Sequence, residues 1–226
     1  VTETPDREFV VFPASGVRLT YREMADRVDR LAGALQSEGL SKGDRIVLLV
    51  DSRLEFVESL LAAARIGAVV SPLNTRHSPA EIREMFTDGA PDLVLISERH
   101  VDKLDGSVYE TPNKSTFVLD TDDIEQSYDS LLNHTPEDVG ESATTSADLL
   151  TVMYTSGTTG QPKAVPIDNF HGVNAALNNA YVHGLRHGSR ILVPSPLFHV
   201  TGLVCGLLTA IAVNGTGVIM RDYGPK

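Results

Sequence analysis

The amino-acid sequence predicts an α/β fold of mostly parallel sheets with helices on both faces. Two observations carry this expectation. Short apolar runs of strand length, RIVLLV (45–50), AVVSPL (68–73) and LVLIS (93–97), alternate with segments of helical periodicity. The runs are largely apolar and do not alternate with polar residues, which suits strands covered on both faces.

The first helix is predicted in LTYREMADRVDRLAGALQSEGL (19–40). Thr20 and Glu23 form a capping box, in which the hydroxyl accepts from the Glu23 amide while the carboxylate reaches back. Met24, Val28, Leu31 and Leu35 then recur at helical spacing, and Gly39 ends the helix. A second helix runs from about Leu54 to Ile66. A third starts at Ser78, Pro79 and Glu81, again a capping box with proline in the first turn, and continues through Ile82, Met85 and Phe86 to Gly89.

Asp120–Asp148 holds nine acidic residues and no Lys or Arg, with many Ser and Thr, and reads as a solvated connector. Its carboxylates lack calcium-loop spacing, so no metal ligands are assigned to it. After it the alternation resumes: strand LLTVMY, a glycine loop, strand KAVPI, helix 169–182, strand RILVPS, an apolar helix, then strand GVIM. The predicted organisation is a first α/β subdomain over 1–120, a connector over 121–147, and the start of a second α/β subdomain over 148–226.

With 226 residues, 42% of them hydrophobic, the chain can bury a sizeable core. Nineteen basic residues against thirty acidic ones give a net charge of −11, and no basic cluster is present to neutralise a run of phosphates, which argues against a nucleic-acid partner. The single Cys205 excludes an intrachain disulfide framework. Its neighbours Val204 and Leu207 predict a buried structural thiol and a reducing, cytoplasmic setting. VTETPDREF shows no basic-then-apolar signal pattern, and VTGLVCGLLTAIAV (200–213) falls short of the ~18 to 20 residues that cross a bilayer, so it reads as a core helix.

Chemistry concentrates in VMYTSGTTGQPKAVPID (152–168). Its glycines let backbone approach closely, its hydroxyls and amides can donate, and Lys163 adds an ammonium, which together suit an oligophosphate. A Walker A loop needs glycine directly before the lysine, Ser or Thr after it, and a helix to follow; here Pro162 precedes Lys163, Ala164 follows, and AVPI looks extended. A dinucleotide fingerprint fails too, because Gly157 and Gly160 have no third glycine in register.

YTSGTTGQPKAV resembles the signature of the adenylate-forming (AMP-binding) superfamily, which includes acyl-CoA synthetases, peptide-synthetase adenylation domains and luciferases. LTYREMADRVDRLAGAL, GDRIVLLV, LLAAARIGAVVSPLNTRHSPAEI and PLFHVTGL are similar to further blocks of the family, in family order. The resemblance implies the N-terminal portion of an acyl-CoA synthetase/luciferase-like adenylating domain. It implies a two-step ligase in which a small carboxylic acid attacks the α-phosphorus of ATP with Mg2+, giving an acyl-adenylate and pyrophosphate, and coenzyme A then takes the acyl group. Thr155, Ser156, Gly157, Thr158, Thr159, Gly160 and Lys163 match the loop that holds the β- and γ-phosphates. Lys163 is the catalytic candidate, as the charge that neutralises the leaving group. His199 matches the position where nucleotide and acyl pocket meet, and a histidine there is similar to acyl-CoA synthetases more than to peptide-synthetase adenylation domains. Phe198, Thr201 and Gly202 are its expected pocket neighbours.

Ala164 departs from the glycine usual in the family, and Asp168, Asn169 and His171 replace a stretch commonly read Thr, His, then Asn two further on. An alanine fits an extended backbone, and Asp168 can cap the next helix. The resemblance covers the N-terminal part of the family alone. The blocks that supply a magnesium-binding acid, the ribose-holding aspartate, the hinge and the C-terminal lysine have no counterpart in 1–226. The isolated chain is therefore expected to be inactive, with apolar strand at an open edge suited to dimerisation. The alternatives are a truncated, non-catalytic homologue that binds a nucleotide or a partner, and an amino-acid adenylation domain.

Overall fold

A computed structural model describes residues 4–104, 115–122, 127–132, 144–156 and 162–221. The chain opens with a hairpin, β1 (Glu8–Phe12) and β2 (Val17–Thr20), turned at Gly16 with φ of 75°. It continues through α1 (Tyr21–Ser37), β3 (Arg45–Leu49), α2 (Leu54–Ile66), β4 (Val69–Pro72), α3 (Pro79–Gly89), β5 (Leu93–Ser97), a 3-10 helix at Glu98–Lys103, β6 (Ser115–Leu119) and α4 (Tyr128–Leu132). A second hairpin, β7 (Leu149–Ser156) and β8 (Pro162–Asp168), leads into α5 (Asn169–Val182) and β9 (Arg190–Val193). Continuous helix follows as α6 (Val200–Gly202), a π-helical stretch (Leu203–Leu208) and α7 (Thr209–Ala212), before β10 (Thr216–Ile219).

The strands form two sheets. One has the order β6-β5-β3-β4-β7-β8 and is parallel except for the β7–β8 hairpin; the other has the order β2-β1-β10-β9 and is parallel except for β1–β2. Each sheet draws strands from both sides of the acidic segment. β1 pairs with β10, and β4 pairs with β7. The core is accordingly shared: Phe9, Leu31, Phe56, Leu93, Leu197 and Leu207 belong to one buried cluster between the sheets. A smaller cluster, with Val47, Leu73, Ile82 and Met85, fills the space under α3 on the opposite face of the larger sheet.

Local chemistry sets the helix starts. Glu23 N donates to Thr20 Oγ1 at 3.2 Å while Thr20 N donates to Glu23 Oε2 at 2.7 Å, and Ser78 with Glu81 repeats the arrangement. These hydrogen bonds hold the carboxyls of Glu23 and Glu81 below the usual carboxylate range. α2 ends at Gly67, whose φ of 78° lies in the left-handed region that favours glycine.

The fold contains β1, β2, the 3-10 helix, β6 and α4, which have no counterpart in the expectations above. Within the acidic segment, α4 is docked: the Tyr128 hydroxyl donates to Glu58 Oε2 at 3.0 Å in the interior, and Arg27 pairs with the other oxygen of that carboxylate. Cys205 requires a correction. It is exposed, whereas Leu203, Val204, Gly206 and Leu207 around it are buried. Apolar neighbours in sequence do not bury a helical residue, because only one side of the turn faces the sheet.

Exposed large apolar side chains gather between residues 149 and 200. Phe170, Val173, Leu177 and Tyr181 recur along one side of α5 and are 47% to 87% exposed, while Val165 and Leu192 lie bare on the edge strands β8 and β9. Among the described residues no helix is long and apolar enough to cross a membrane.

Candidate functional site

The glycine loop joins β7 to β8. Gly157, Thr158, Thr159 and Gly160 lie outside the described residues, so the structure describes the two stems of the loop. The ladder runs from Leu149 opposite Asp168 to Ser156 opposite Pro162, which places Thr155 directly across from Lys163 and Tyr154 across from Ala164. Side chains alternate along a strand, so Thr155 and Lys163 share one face of the hairpin and Tyr154 occupies the other. Thr155 and Lys163 are both exposed. Ala164 sits within β8, the extended conformation that tolerates its methyl group.

The stems are held from below and from the side. The Thr151 hydroxyl donates to Val70 O at 2.7 Å, fixing β7 to β4. The Tyr154 hydroxyl donates to Asp88 Oδ2 at 2.9 Å and lies 3.2 Å from Met85 O at the end of α3. Burial, with the Asp88 carboxylate second, pushes the Tyr154 phenol well above its ordinary range. Beyond β8, Asp168 caps α5 by accepting from His171 N at 2.7 Å, and this bond holds its carboxyl below the usual range. The Asp168 and His171 departures thus form a working cap.

The second group of candidates follows β9. His199 is the cap of α6: Nδ1 accepts from Thr201 N at 3.2 Å and lies 3.1 Å from Thr201 Oγ1. A ring whose Nδ1 accepts carries its hydrogen on Nε2. His199 and Thr201 are exposed, Phe198 is half-buried against the core, and Gly202 is buried. A Cβ on Gly202 would fall 2.2 Å from Pro196 O and 2.5 Å from Ser195 O, so this glycine is required by the close approach of its own loop.

Both groups sit at carboxyl ends of parallel strands, where ligands of open α/β sheets bind. β3, β4 and β7 run parallel, and the β9 loop is tied to the end of β3 by Leu197 N, which donates to the buried Ser52 Oγ at 2.9 Å. Ser52 and Tyr154 tie the two groups to neighbouring elements through hydrogen-bond partners that lie 145 and 66 residues away in sequence.

The described residues form a parallel α/β sheet whose edge hairpin carries Lys163 opposite Thr155. The family model for AMP-binding enzymes matches residues 1–225, and the chain belongs to that family. It is 31% identical over 214 residues to a long-chain-fatty-acid–CoA ligase, FadD13, of Mycobacterium tuberculosis, covering 93% of this chain and 41% of that protein. It is 30% identical to an indoleacetate–CoA ligase of Aromatoleum aromaticum, covering 97% and 43%. Among solved structures, a fatty-acid CoA ligase from Rhodopseudomonas palustris superposes with a TM-score of 0.86 at 30% identity, over 98% of this chain and 55% of that one. An o-succinylbenzoate CoA synthetase from Bacillus subtilis, in complex with its acyl-adenylate, gives 0.83 at 26% identity, over 98% and 54%. The chain thus spans about two-fifths of the length of the curated relatives it matches.

Proposed function

We propose that this chain is the triphosphate-holding part of an AMP-forming acyl-CoA synthetase. The observation that carries the reading is the β7–β8 hairpin, which sets Lys163 beside Thr155 at the stem of the glycine loop, in a chain whose relatives are CoA ligases. In this reading Thr155 to Gly160 and Lys163 hold the β- and γ-phosphates of ATP. Lys163 neutralises charge that builds on pyrophosphate as the acid carboxylate displaces it from the α-phosphorus. Mg2+, when bound, adds charge neutralisation on the phosphates. His199, with hydrogen on Nε2, donates toward the carboxylate, and Phe198 lines the acyl side. Coenzyme A is the acceptor.

The isolated chain is inactive in this reading, because positioning the acid and nucleoside needs groups that residues 1–226 do not supply. The setting is cytoplasmic, and the bare apolar stripe on α5 with the edges β8 and β9 supports self-association of the isolated chain. The test is acid-dependent ATP–pyrophosphate exchange with a panel of carboxylic acids. A polypeptide carrying this chain in front of a family-length C-terminal half exchanges, its Lys163→Ala form loses activity, and the chain alone does not exchange. Full exchange by the Lys163→Ala form removes the role assigned to that residue.

A further inference from the structure

The phosphate-loop hairpin outruns its sheet. By the register that sets Val70 opposite Thr151, the end of β4 at Pro72 stands opposite Met153, so among the described residues Tyr154 to Ser156 have no strand partner on that side. On the other side lies β8, itself the sheet edge. The part of the hairpin that presents Thr155 and Lys163 therefore projects beyond the ladder that would hold it. Beside it, α3 and the hairpin part around an open cavity of about 450 Å3 lined by Arg83, Thr87, Tyr154 and Pro162. Tyr154 spans this gap. Its ring packs against the cluster under α3, its hydroxyl reaches Asp88 Oδ2 and Met85 O, and Gly89 leaves room for it, since a Cβ there would fall 3.2 Å from that oxygen.

We infer that Tyr154, through Asp88 at the end of α3, is the positioning residue that fixes the projecting hairpin and so sets where Lys163 meets phosphate. This rests on the reading of the loop as a polyphosphate holder. Tyr154 lies on the opposite face of the hairpin from Lys163 and acts through the ladder, in which its own partner Ala164 is the neighbour of Lys163.

The test measures amide hydrogen exchange over Met153–Ser156 and Lys163–Val165, together with the affinity of the whole chain for MgATP and for inorganic tripolyphosphate. Tyr154→Phe and Asp88→Ala accelerate exchange in these amides and weaken both ligands by about tenfold, the weight of one hydrogen bond to a charged acceptor. Asp88→Asn, which keeps an acceptor oxygen, restores both readouts, and exchange in β3 and β5 stays unchanged in every variant. Unaltered hairpin exchange in Tyr154→Phe overturns the inference whatever the ligands do. If the unmodified chain binds neither polyphosphate, the phosphate reading fails, and the exchange rates still decide the tether.

Discussion

Thr155 and Lys163 face each other across the β7–β8 ladder on the side of the hairpin turned away from α3. A hydroxyl and an ammonium thereby share one face of the hairpin beside the glycine loop, without the helix that completes a Walker loop. Charge at this pair can act on a phosphate chain lying over the loop, and its loss should be felt by polyphosphates of every kind. Lys163→Ala is expected to weaken inorganic tripolyphosphate and MgATP by similar factors, at least about tenfold, as loss of a charge-assisted hydrogen bond implies. Isothermal titration with the two ligands checks this.

Ser52→Ala should loosen the His199 loop. The substitution leaves the buried Leu197 N–H without its acceptor, which costs about 1 to 3 kcal/mol. Urea unfolding measures the loss, and Ser52→Thr, which restores a hydroxyl, should recover most of it.

Gly202→Ala is expected to be more severe than its size implies. The new methyl carbon would meet Pro196 O at 2.2 Å, and backbone has to move to relieve it, at a cost of about 3 kcal/mol. Comparison of urea midpoints with Gly184→Ala, where a Cβ meets nothing within 4 Å but φ is 63°, separates steric clash from backbone strain.

Glu58 is fully buried between Arg27 and the Tyr128 hydroxyl. Arg27→Ala removes its cation and should cost about 2 kcal/mol, below the ~3 to 5 of a wholly buried pair because Arg27 is partly exposed. Glu58→Gln combined with Arg27→Ala should be milder than Arg27→Ala alone, since no unpaired charge remains. Denaturant midpoints of the two variants give the comparison.

Asp148 tests the pH dependence of the segment that leads into β7. The Lys42 ammonium at 2.7 Å, with the Thr145 amide second, holds its pKa at about 2. A carboxyl depressed on folding adds stability above its unfolded pKa of ~3.9 and loses it as pH falls through the folded value. The contribution should therefore disappear between about pH 4 and pH 2. Lys42→Ala should raise the Asp148 pKa, read from its carboxyl carbon by NMR, and shrink the acid-dependent loss of stability over that window.

The parts of the fold legible in sequence are those set by near neighbours. Thr20 with Glu23 and Ser78 with Glu81 determine helix starts within a few residues, and the expected bounds of α2 and α5 agree with the structure. β1 escaped because EFVVF gains its meaning from β10, some two hundred residues later, through the Val10–Gly217 register. Cys205 was misjudged because composition reports neighbours along the chain while burial depends on the side of a turn. In the site, the loop residues carry a local signal in their type and spacing, whereas His199 is marked by the resemblance of PLFHVTGL to a family block. Ser52 and Tyr154 are not marked as positioning groups, since a serine or tyrosine becomes one only when folding brings Leu197 or Asp88 to it.

The most direct measurement is an NMR titration of the 15N-labelled chain with MgATP at millimolar concentrations. Amide shifts should concentrate in Thr155–Lys163, follow a saturable curve, and vanish in Lys163→Ala while the rest of the spectrum is preserved. Shifts centred elsewhere, or an unchanged response in Lys163→Ala, would contradict the assignment of this hairpin as the holder of the ATP phosphates.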